Sequence, residues 1–215
     1  MHSAVNRAVG GSSPPAPGAY KGKIMNQFDG EFEIMDTVPD QEIKYSTIVI
    51  DPPWMERGGG KIKRGADKHY ELLDTPGIVR TVIQSPIWDN VDEHAHMYLW
   101  VTNSFLPHGL EVMKALGFRY ITNVAWVKNQ IGLGQYFRGK HELCLFGTRG
   151  RGVLPRTDDR SIPSIIEAKK TGHSRKPDAF YRMVEKRSHG PYVDMFSRQR
   201  RDGWAVWGND VEDEE

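Results

Sequence analysis

The sequence predicts an α/β fold in which a mostly parallel sheet carries helices on both faces. Short runs rich in β-branched and aromatic residues alternate along the chain with segments that repeat apolar residues at helical spacing. This alternation is typical of parallel, doubly wound sheets. The 215 residues, of which 38% are hydrophobic and 27% charged, suit one compact domain with a sizeable core.

The individual elements follow from local patterns. The apolar run at residues 45–50 predicts a buried strand, and Thr75-Pro76 is typical of an N-cap followed by proline in the first helical turn. Gly117 is expected to end a helix. The remaining predictions, in chain order, are an edge element within 28–38, a strand at 96–101, a helix at 107–116, strands at 118–127, 143–146 and 165–166, a helix from Pro177, a strand at 192–196 and an antiparallel strand at 204–209.

Composition limits the classes of function. A formal net charge of +1 does not by itself indicate a nucleic-acid partner, so any basic surface that binds nucleic acid must be local. The single Cys144 excludes a disulfide framework, and no acidic or cysteine cluster completes a zinc site around His94, His96 or His141. No apolar stretch reaches the roughly 20 residues of a transmembrane helix. We therefore expect no metal, no membrane contact and a cytoplasmic location.

The chain divides into three parts. Residues 1–27 are rich in Gly, Ser, Pro and Ala and predict a disordered N-terminal arm, because they offer little apolar surface to bury. Residues 28–210 form the predicted domain. Residues 211–215 are an acidic tail that we expect to be solvated.

Asp51-Pro52-Pro53-Trp54 follows directly on the first buried strand and carries the most suggestive chemistry. The exocyclic amine of a base is a poor nucleophile because its lone pair is delocalised into the ring. The Asp51 carboxylate and a backbone carbonyl would each accept one amine hydrogen and localise that lone pair, while Trp54 would stack on the base. The alternative is an ordinary Pro-Pro turn with a packing tryptophan.

Other residues are placed near this tetrapeptide by the predicted sheet. Asn103 and Lys128 follow neighbouring strands, and the carboxyl ends of parallel strands share one edge, where ligands bind in open α/β sheets. Trp126 lies two residues before Lys128. Tyr70 could stack on the target base or belong to the core. These four residues are the candidate base-binding set.

Two glycine-bearing basic loops could hold a nucleic-acid backbone. The first contributes Arg57, Lys61, Lys63, Arg64 and Lys68, and the second contributes Arg138. Such cations position a strand without reading its sequence; the alternative is a solvated surface loop. The second loop lacks the third glycine of a dinucleotide fingerprint and its strand-to-helix context, so we reject a nicotinamide cofactor.

From residue 45 to residue 209 the chain resembles the adenine amine methyltransferases that include the METTL-type (MT-A70) messenger-RNA enzymes and their bacterial and phage relatives. The resemblance rests on ordered landmarks: Asp51-Pro52-Pro53-Trp54, Tyr98-Leu99-Trp100-Val101-Thr102, Trp126-Val127-Lys128, Gly139-Lys140-His141-Glu142, Cys144-Leu145-Phe146-Gly147, Lys176-Pro177-Asp178 and Asp194-Met195-Phe196-Ser197-Arg198. The base-binding motif precedes the cofactor-binding strand, as in circularly permuted members.

The resemblance implies a Rossmann-like fold and S-adenosylmethionine as methyl donor. By it, the cofactor site would be lined by Asp51, Lys140, His141, Ser174, Lys176, Asp194, Phe196, Ser197, Arg198, Arg200 and Asn209. Lys140 or Lys176 would pair with the carboxylate of the donor, and Asp194 or Asp51 would accept from its ammonium. The chain departs from the family where relatives have a glycine instead of Ser197, and where the messenger-RNA enzymes have histidine and asparagine instead of Arg200 and Arg201.

The resemblance predicts methylation of the N6 amine of adenine in DNA by a bacterial or phage type of enzyme. The alternatives are the same reaction on RNA, a catalytically silent nucleic-acid-binding subunit, and methylation of the exocyclic amine of cytosine. Specificity would come from the two basic loops or from a partner chain, either a second copy or a different subunit.

Overall fold

The computed structural model describes residues 24–25, 31–35, 43–55, 72–132, 136–151, 155–169, 175–197 and 199–208. In these ranges it has nine strands and three α-helices. The strands are β1 (Ile24–Met25), β2 (Glu31–Met35), β3 (Tyr45–Ile50), β4 (Val91–Val101), β5 (Arg119–Lys128), β6 (His141–Arg149), β7 (Ile165–Ala168), β8 (Tyr192–Met195) and β9 (Trp204–Gly208). The helices are α1 (Thr75–Ile83), α2 (Leu106–Ala115) and α3 (Asp178–Arg187).

These strands form one sheet in the order β1-β2-β9-β8-β3-β4-β6-β5-β7. Strand β3 is parallel to both β4 and β8, β8 is parallel to β9, and β5 is parallel to β7. Strand β6 is antiparallel to both β4 and β5, so β4 and β5 run in the same direction. The predicted mostly parallel α/β sheet is confirmed, and it is a Rossmann-like arrangement.

The prediction that the last strand is antiparallel is wrong, because β9 runs parallel to β8. The eight residues between them are long enough, at about 3.3 Å each, to return the chain to the start of β8. Phe196 and Gly203, at the two ends of this connection, have φ values of 63° and 77°, which turn the chain sharply. Strand β9 therefore ends at the same edge of the sheet as β8.

The helix ends are largely as expected. The N-cap of α1 is Asp74 rather than the predicted Thr75, and its Oδ1 accepts a hydrogen bond from the backbone N of Gly77 at 2.8 Å. Gly117, with φ 77°, follows α2 as predicted, since this conformation favours glycine. Among the described residues no helix has the length and apolar character needed to cross a membrane.

Two hydrophobic cores lie on opposite faces of the sheet. On one face, Ile48 and Ile50 of β3 pack with residues from α1 and α2. On the other, Val49 packs with Phe180 and Val184 of α3. Successive side chains of a strand point to opposite faces, so the alternation along β3 separates the two cores. The predicted placement of helices on both faces is confirmed.

The predicted element within 28–38 is present as strand β2, but β2 pairs with both β1 and β9, so it is not at the edge of the sheet. Strand β1 lies inside the range 1–27 that we predicted to be a disordered arm. Residues 1–23 and the acidic tail are outside the described residues, so both remain predictions.

Candidate active site

Side chains from three strands meet at one edge of the sheet, on the face that carries α3. Asp51 follows β3, Lys128 ends β5, and Glu142 is the second residue of β6. Each lies an even number of residues from a side chain of the α3-side core, namely Val49, Trp126 and Cys144. Because side chains alternate between faces, the three point to the same side.

Lys176, which precedes α3, joins these groups. Its Nζ lies 2.7 Å from Asp51 Oδ2 and 3.6 Å from Glu142 Oε2. Glu142 Oε1 accepts from Lys128 Nζ. The two carboxylates and two ammonium groups form a chain from Asp51 through Lys176 and Glu142 to Lys128. We call these four residues the charge quartet, and their formal charges sum to zero.

Aromatic rings form one wall of the charge quartet. Lys176 Nζ lies 5.1 Å from the ring centroid of Trp100, and Lys128 Nζ lies 4.9 Å from that of Trp126. The two indoles meet edge to face with centroids 6.2 Å apart. Ammonium groups are attracted to the faces of such rings, so the wall helps to hold both lysines at the sheet edge.

Burial and neighbouring charge shift the ionisation of the quartet in different directions. Burial raises the pKa of Asp51 above its ordinary value, with the Lys176 ammonium opposing the shift. Burial also opposes ionisation of Glu142, but Lys176 and Lys128 outweigh it and lower the pKa of that carboxyl. The pKa of Lys176 is raised because Asp51 and Glu142 outweigh the cost of burying its charge.

Trp54 does not occupy the stacking position that we predicted from the sequence. Its side chain is 6% exposed and belongs to the core on the α1 and α2 face, opposite the quartet. The indole Nε1 donates to the backbone oxygen of Trp100 at 2.9 Å, and its ring packs against Phe105 with centroids 5.5 Å apart. In this structure Trp54 anchors the end of β3 to β4, because two consecutive prolines leave few backbone donors to do so.

The backbone carbonyls of Pro52 and Pro53 accept hydrogen bonds from different donors. Pro53 O accepts from Leu73 N at 2.9 Å, and Met55 N donates to Leu73 O at 3.1 Å. Pro52 O accepts from Trp54 N at 2.9 Å, only two residues along the chain. A carbonyl oxygen has two lone pairs, so the hydrogen bond from Trp54 N leaves Pro52 O, in a buried residue, with capacity for one more.

The other predicted base-binding residues are placed unequally. Trp126 is buried and its Nε1 donates to Ala168 O at 3.0 Å, so in this structure its ring belongs to the core and its contact with a base stays a prediction. Lys128 is within the quartet. Asn103 is exposed in the turn that follows β4, at the same sheet edge. Tyr70 lies outside the described residues.

Asp194 faces the same side of the sheet as Asp51 but is enclosed. It accepts a hydrogen bond from the Tyr181 hydroxyl at 2.8 Å, and burial raises its pKa to about 7. The Arg201 guanidinium lies 3.8 Å from the centroid of the Tyr181 ring. Asp194 is therefore a buried, hydrogen-bonded group in this structure, and its contact with a methyl donor remains a prediction.

The chain after β8 is held close to the end of β9. Phe196 N donates to Trp207 O at 2.6 Å, and the two rings meet edge to face at 5.5 Å. A Cβ at Gly208 would collide with the backbone of Ser197, so this approach requires glycine. Phe196 and Ser197 thus lie at the shared carboxyl edge where the resemblance placed cofactor contacts.

The remaining predicted residues are exposed, half-buried or outside the described residues. Lys140, His141 and Arg138 are exposed beside the quartet, and Arg200 is half-buried after β8. The candidates outside the described residues are Ser174, Arg198 and Asn209 for the cofactor, and Arg57, Lys61, Lys63, Arg64 and Lys68 for the nucleic-acid backbone. Their roles stay predictions.

Sequence reasoning missed Glu142 and Trp100 as site residues. Glu142 is at the start of its strand, and only the antiparallel direction of β6 brings that start to the carboxyl edge of its neighbours. The signal available in the sequence was the pair His141-Glu142 following the loop after Lys128, since a hairpin of that kind returns the chain to the same edge.

The residues present fit S-adenosylmethionine, whose methionine end carries a carboxylate and an ammonium. Lys176 supplies a cation for the carboxylate. Beside Lys176, Trp100 Nε1 is buried without a hydrogen-bond partner among the described residues, and so is Thr102 Oγ1 at the end of β4. Unpaired buried polar atoms are costly, so both are suited to a ligand.

Comparison with known proteins agrees with this architecture. The family model described as MT-A70 matches residues 45–210. A protein from Medicago truncatula described as "Putative N(6)-adenosine-methyltransferase MT-A70-like" is 29% identical over 182 residues, covering 78% of this chain and 26% of the relative. The human "N(6)-adenosine-methyltransferase catalytic subunit METTL3" is 26% identical over 184 residues, covering 79% and 28%.

A third relative is shorter. The "N6-methyladenosine RNA methyltransferase MTA1" of Pyricularia oryzae is 27% identical over 187 residues, covering 78% of this chain and 47% of the relative. The chain thus spans between about a quarter and a half of the length of these three relatives. Since the family model covers more than half of the chain and includes every member of the charge quartet, the chain belongs to the MT-A70 family.

Proposed function

We propose that this protein is an S-adenosylmethionine-dependent methyltransferase that acts on the N6 amine of adenine in nucleic acid, with DNA as the favoured polymer. The observation that carries the proposal is the Asp51 carboxylate, which Lys176 holds at 2.7 Å on the carboxyl edge of the sheet. A carboxylate fixed before the substrate enters costs little reorganisation during the reaction.

Asp51 and Pro52 O supply the two acceptors that the amine needs. Each accepts one amine hydrogen, so the nitrogen lone pair is drawn out of the base ring and becomes nucleophilic. Asp51 keeps its Lys176 contact through Oδ2, which leaves Oδ1 for the amine. As the N–C bond to the methyl group forms and the bond between that methyl group and the sulfonium sulfur breaks, the amine must lose one proton. A carboxylate whose pKa is raised by burial is suited to take it.

S-adenosylmethionine, when bound, supplies an electrophilic methyl group on a sulfonium. Lys176 would hold its carboxylate, and Phe196 and Ser197, at the end of β8, would line its site. The aromatic wall of Trp100 and Trp126 would exclude water from the quartet side of the reacting atoms. Trp54 contributes from the opposite face by fixing the peptide that carries Pro52 O.

The polymer and the assembly state are part of the proposal. The names of the relatives refer to adenosine, and that of the Pyricularia oryzae protein to RNA. These names support adenine and its N6 amine as the target and make RNA the second candidate substrate. The human relative is named a catalytic subunit, which supports a partner chain here too, either a second copy or a different subunit. Because the tetrapeptide Asp51-Pro52-Pro53-Trp54 is intact, we favour an active enzyme over a catalytically silent subunit.

The first experiment measures transfer of a labelled methyl group by the purified full chain to DNA and RNA oligonucleotides of matched sequence. Digestion to nucleosides followed by mass spectrometry identifies the product. We expect N6-methyladenine, with more product from DNA than from RNA. Oligonucleotides in which cytosine replaces every adenine are the control for cytosine as the target base.

The outcomes separate the candidate functions. Methylated product only in RNA would show that RNA, and not DNA, is the substrate. Methylated product in the adenine-free oligonucleotides would show that cytosine, and not adenine, is the target base. Absence of product in every arm, with nucleic-acid binding retained, would overturn the enzyme proposal in favour of a silent subunit.

A further inference from the structure

Two aromatic side chains stand almost wholly in solvent beside the charge quartet. Tyr136 is 103% exposed and Phe137 is 85% exposed. Phenylalanine is among the residue types most often buried, and a contiguous exposed apolar group usually marks a contact surface. The pair lies between Lys128, which ends β5, and Glu142, which lies near the start of β6, so it is attached directly to the site edge.

Two backbone hydrogen bonds link the described residues that follow β5 to those that precede β6. Lys128 N donates to Lys140 O at 2.8 Å, and Gly132 N donates to Gly139 O at 2.7 Å. We call residues 128–132 and 136–140 the aromatic hairpin. Tyr136 is four residues from Lys140, so its backbone lies within about 14 Å of the quartet edge at roughly 3.5 Å per residue.

Tyr136 also has an unusual backbone. Its φ of 57° is in the left-handed region, where a residue with a Cβ is disfavoured and glycine would be the easy choice. A bulky ring kept in such a conformation at an exposed position is more often a functional feature than a packing one. Here the ring is exposed, so packing does not account for it.

The charged residues near Tyr136 and Phe137 indicate which kind of ligand the two rings would bind. Arg138 and Lys140 are exposed in the same hairpin, and the ion pairs of the described residues involve neither of them. The carboxylates at this edge, Asp51 and Glu142, are both paired with lysines. The hairpin therefore presents flat apolar rings together with uncompensated positive charge, which is the combination that holds unpaired nucleotides by stacking and by phosphate contacts.

We propose that Tyr136 and Phe137 stack on unpaired bases that flank the target adenine, while Arg138 and Lys140 contact the intervening phosphates. This inference rests on the proposed function, since it takes the quartet edge as the place where the adenine enters. At about 3.4 Å per stacked nucleotide, the reach of the hairpin corresponds to roughly four nucleotides on one side of the adenine. The rings add affinity for a flanking segment without reading its sequence.

The test measures binding of fluorescently labelled single-stranded oligonucleotides with one central adenine, as matched DNA and RNA, by anisotropy. The variant is Tyr136→Ala/Phe137→Ala, and the matched control is Tyr120→Ala, an exposed tyrosine at the other end of β5. We expect the double variant to raise Kd by a factor of about 5 to 150 for each stack lost, with an unchanged salt dependence. The control should bind as the wild type does. Tyr136→Phe introduced alone should also keep wild-type affinity, because it retains the aromatic ring.

Abasic sites make the assignment specific. Replacing the bases within four nucleotides of the adenine by abasic sites should weaken binding by the wild type to the level of the double variant, and should leave the double variant unchanged. Arg138→Gln should instead lower the slope of log Kd against log salt concentration by about 0.7. A greater loss of affinity for RNA than for DNA would show that the rings stack on bases of RNA strands, and the reverse would show that they stack on bases of DNA.

Two results would overturn the inference. One is an equal loss of affinity for abasic oligonucleotides in the wild type and the double variant. The other is an unchanged Kd of the double variant together with an altered molecular mass in solution, which would assign the rings to a protein contact. The assay measures binding and not methyl transfer. If the wild type is inactive but still binds oligonucleotides with intact flanking bases more tightly than abasic ones, only the proposed function is wrong. If the wild type transfers methyl groups and the double variant has the same Kd as the wild type, only this inference is wrong.

Discussion

Lys176 Nζ lies 2.7 Å from Asp51 Oδ2 and 3.6 Å from Glu142 Oε2, so one ammonium group serves two carboxylates at the sheet edge. The contact to Asp51 fixes the group that we propose binds the amine. The contact to Glu142 gives Lys176 a second partner, so the ammonium can remain paired when a ligand approaches Asp51. This arrangement leads directly to the first three predictions.

Asp51→Ala should abolish methyl transfer while the fold is retained. The variant removes one of the two acceptors for the amine, and loss of one such group typically lowers kcat by a factor of about 100 to 1000. Lys176 keeps Glu142 as its partner, so the melting temperature should change little. Comparing kcat and thermal unfolding with those of Asp158→Ala, an exposed aspartate, checks this. Wild-type kcat in Asp51→Ala would contradict the proposed role.

Lys176→Met should destabilise the protein as well as inactivate it. The side chain is only 9% exposed, and its loss leaves two partly buried carboxylates without their shared cation. Breaking such an arrangement by removing one partner costs about 3–5 kcal/mol of the free energy of unfolding. Denaturant unfolding should show this loss, with Lys114→Met on the exposed face of α2 as control.

Adding Asp51→Asn to Lys176→Met should recover part of that stability, because one of the uncompensated carboxylates is then neutral. Additive losses in the double variant would show that the two residues are not energetically coupled.

Glu142→Gln should shift the acid limb of the pH dependence of kcat to lower pH. The negative charge of Glu142 contributes to the raised pKa of Asp51, so its removal lowers that pKa and the Asp51 carboxylate stays ionised in more acidic solution. The activity that depends on ionised Asp51 should therefore persist to lower pH than in the wild type. Glu111→Gln on α2 is the matched control, and an acid limb displaced to higher pH would contradict the assignment.

Trp54→Phe should reduce stability without reducing affinity for nucleic acid. The substitution keeps an aromatic ring in the core but removes the Nε1 donor, which leaves Trp100 O without this partner. A lost buried hydrogen bond of this kind costs about 1–2 kcal/mol, measurable by denaturant unfolding. A Trp54 that stacked on the base would instead show a weaker Kd for oligonucleotides, which anisotropy would detect.

Asp194→Asn should remove a pH-dependent loss of stability. Burial raises the pKa of Asp194 from 3.8 to about 7, so between these pH values the folded protein holds a proton that the unfolded chain releases. The resulting stability is fully present below about pH 4 and is lost as the pH rises through 7. For this group the free energy of unfolding should fall by a few kcal/mol, roughly 4 at most.

Unfolding measured from pH 4 to pH 8 checks this, because the difference between the wild type and Asp194→Asn should shrink or change sign across that window. The amide oxygen can still accept from the Tyr181 hydroxyl, so the variant should fold. A difference that is constant with pH would show that Asp194 titrates normally.

Much of the fold and part of the site could be predicted from local patterns. The apolar runs indicated strands β3, β5 and β8 within one residue of their observed bounds, because a strand with a buried face requires a short apolar segment, whereas β4 begins five residues before its predicted start at residue 96. Gly117 marked the end of α2 for a steric reason that acts within the chain itself. Asp51 was found because it follows the first buried strand directly.

What remained open depends on how the strands are paired. The sequence by itself determined that Asp51, Asn103 and Lys128 follow strands and that two prolines stop β3, since these features depend on neighbouring residues. Only the tertiary structure decided that β6 runs antiparallel and brings Glu142 to Lys128 and Lys176, that β9 is parallel to β8, and that Trp54 and Trp126 turn their rings into the cores. Strand direction and the face to which a ring points are decided by which surfaces bury the most apolar area together, and that choice is made between segments far apart in the chain.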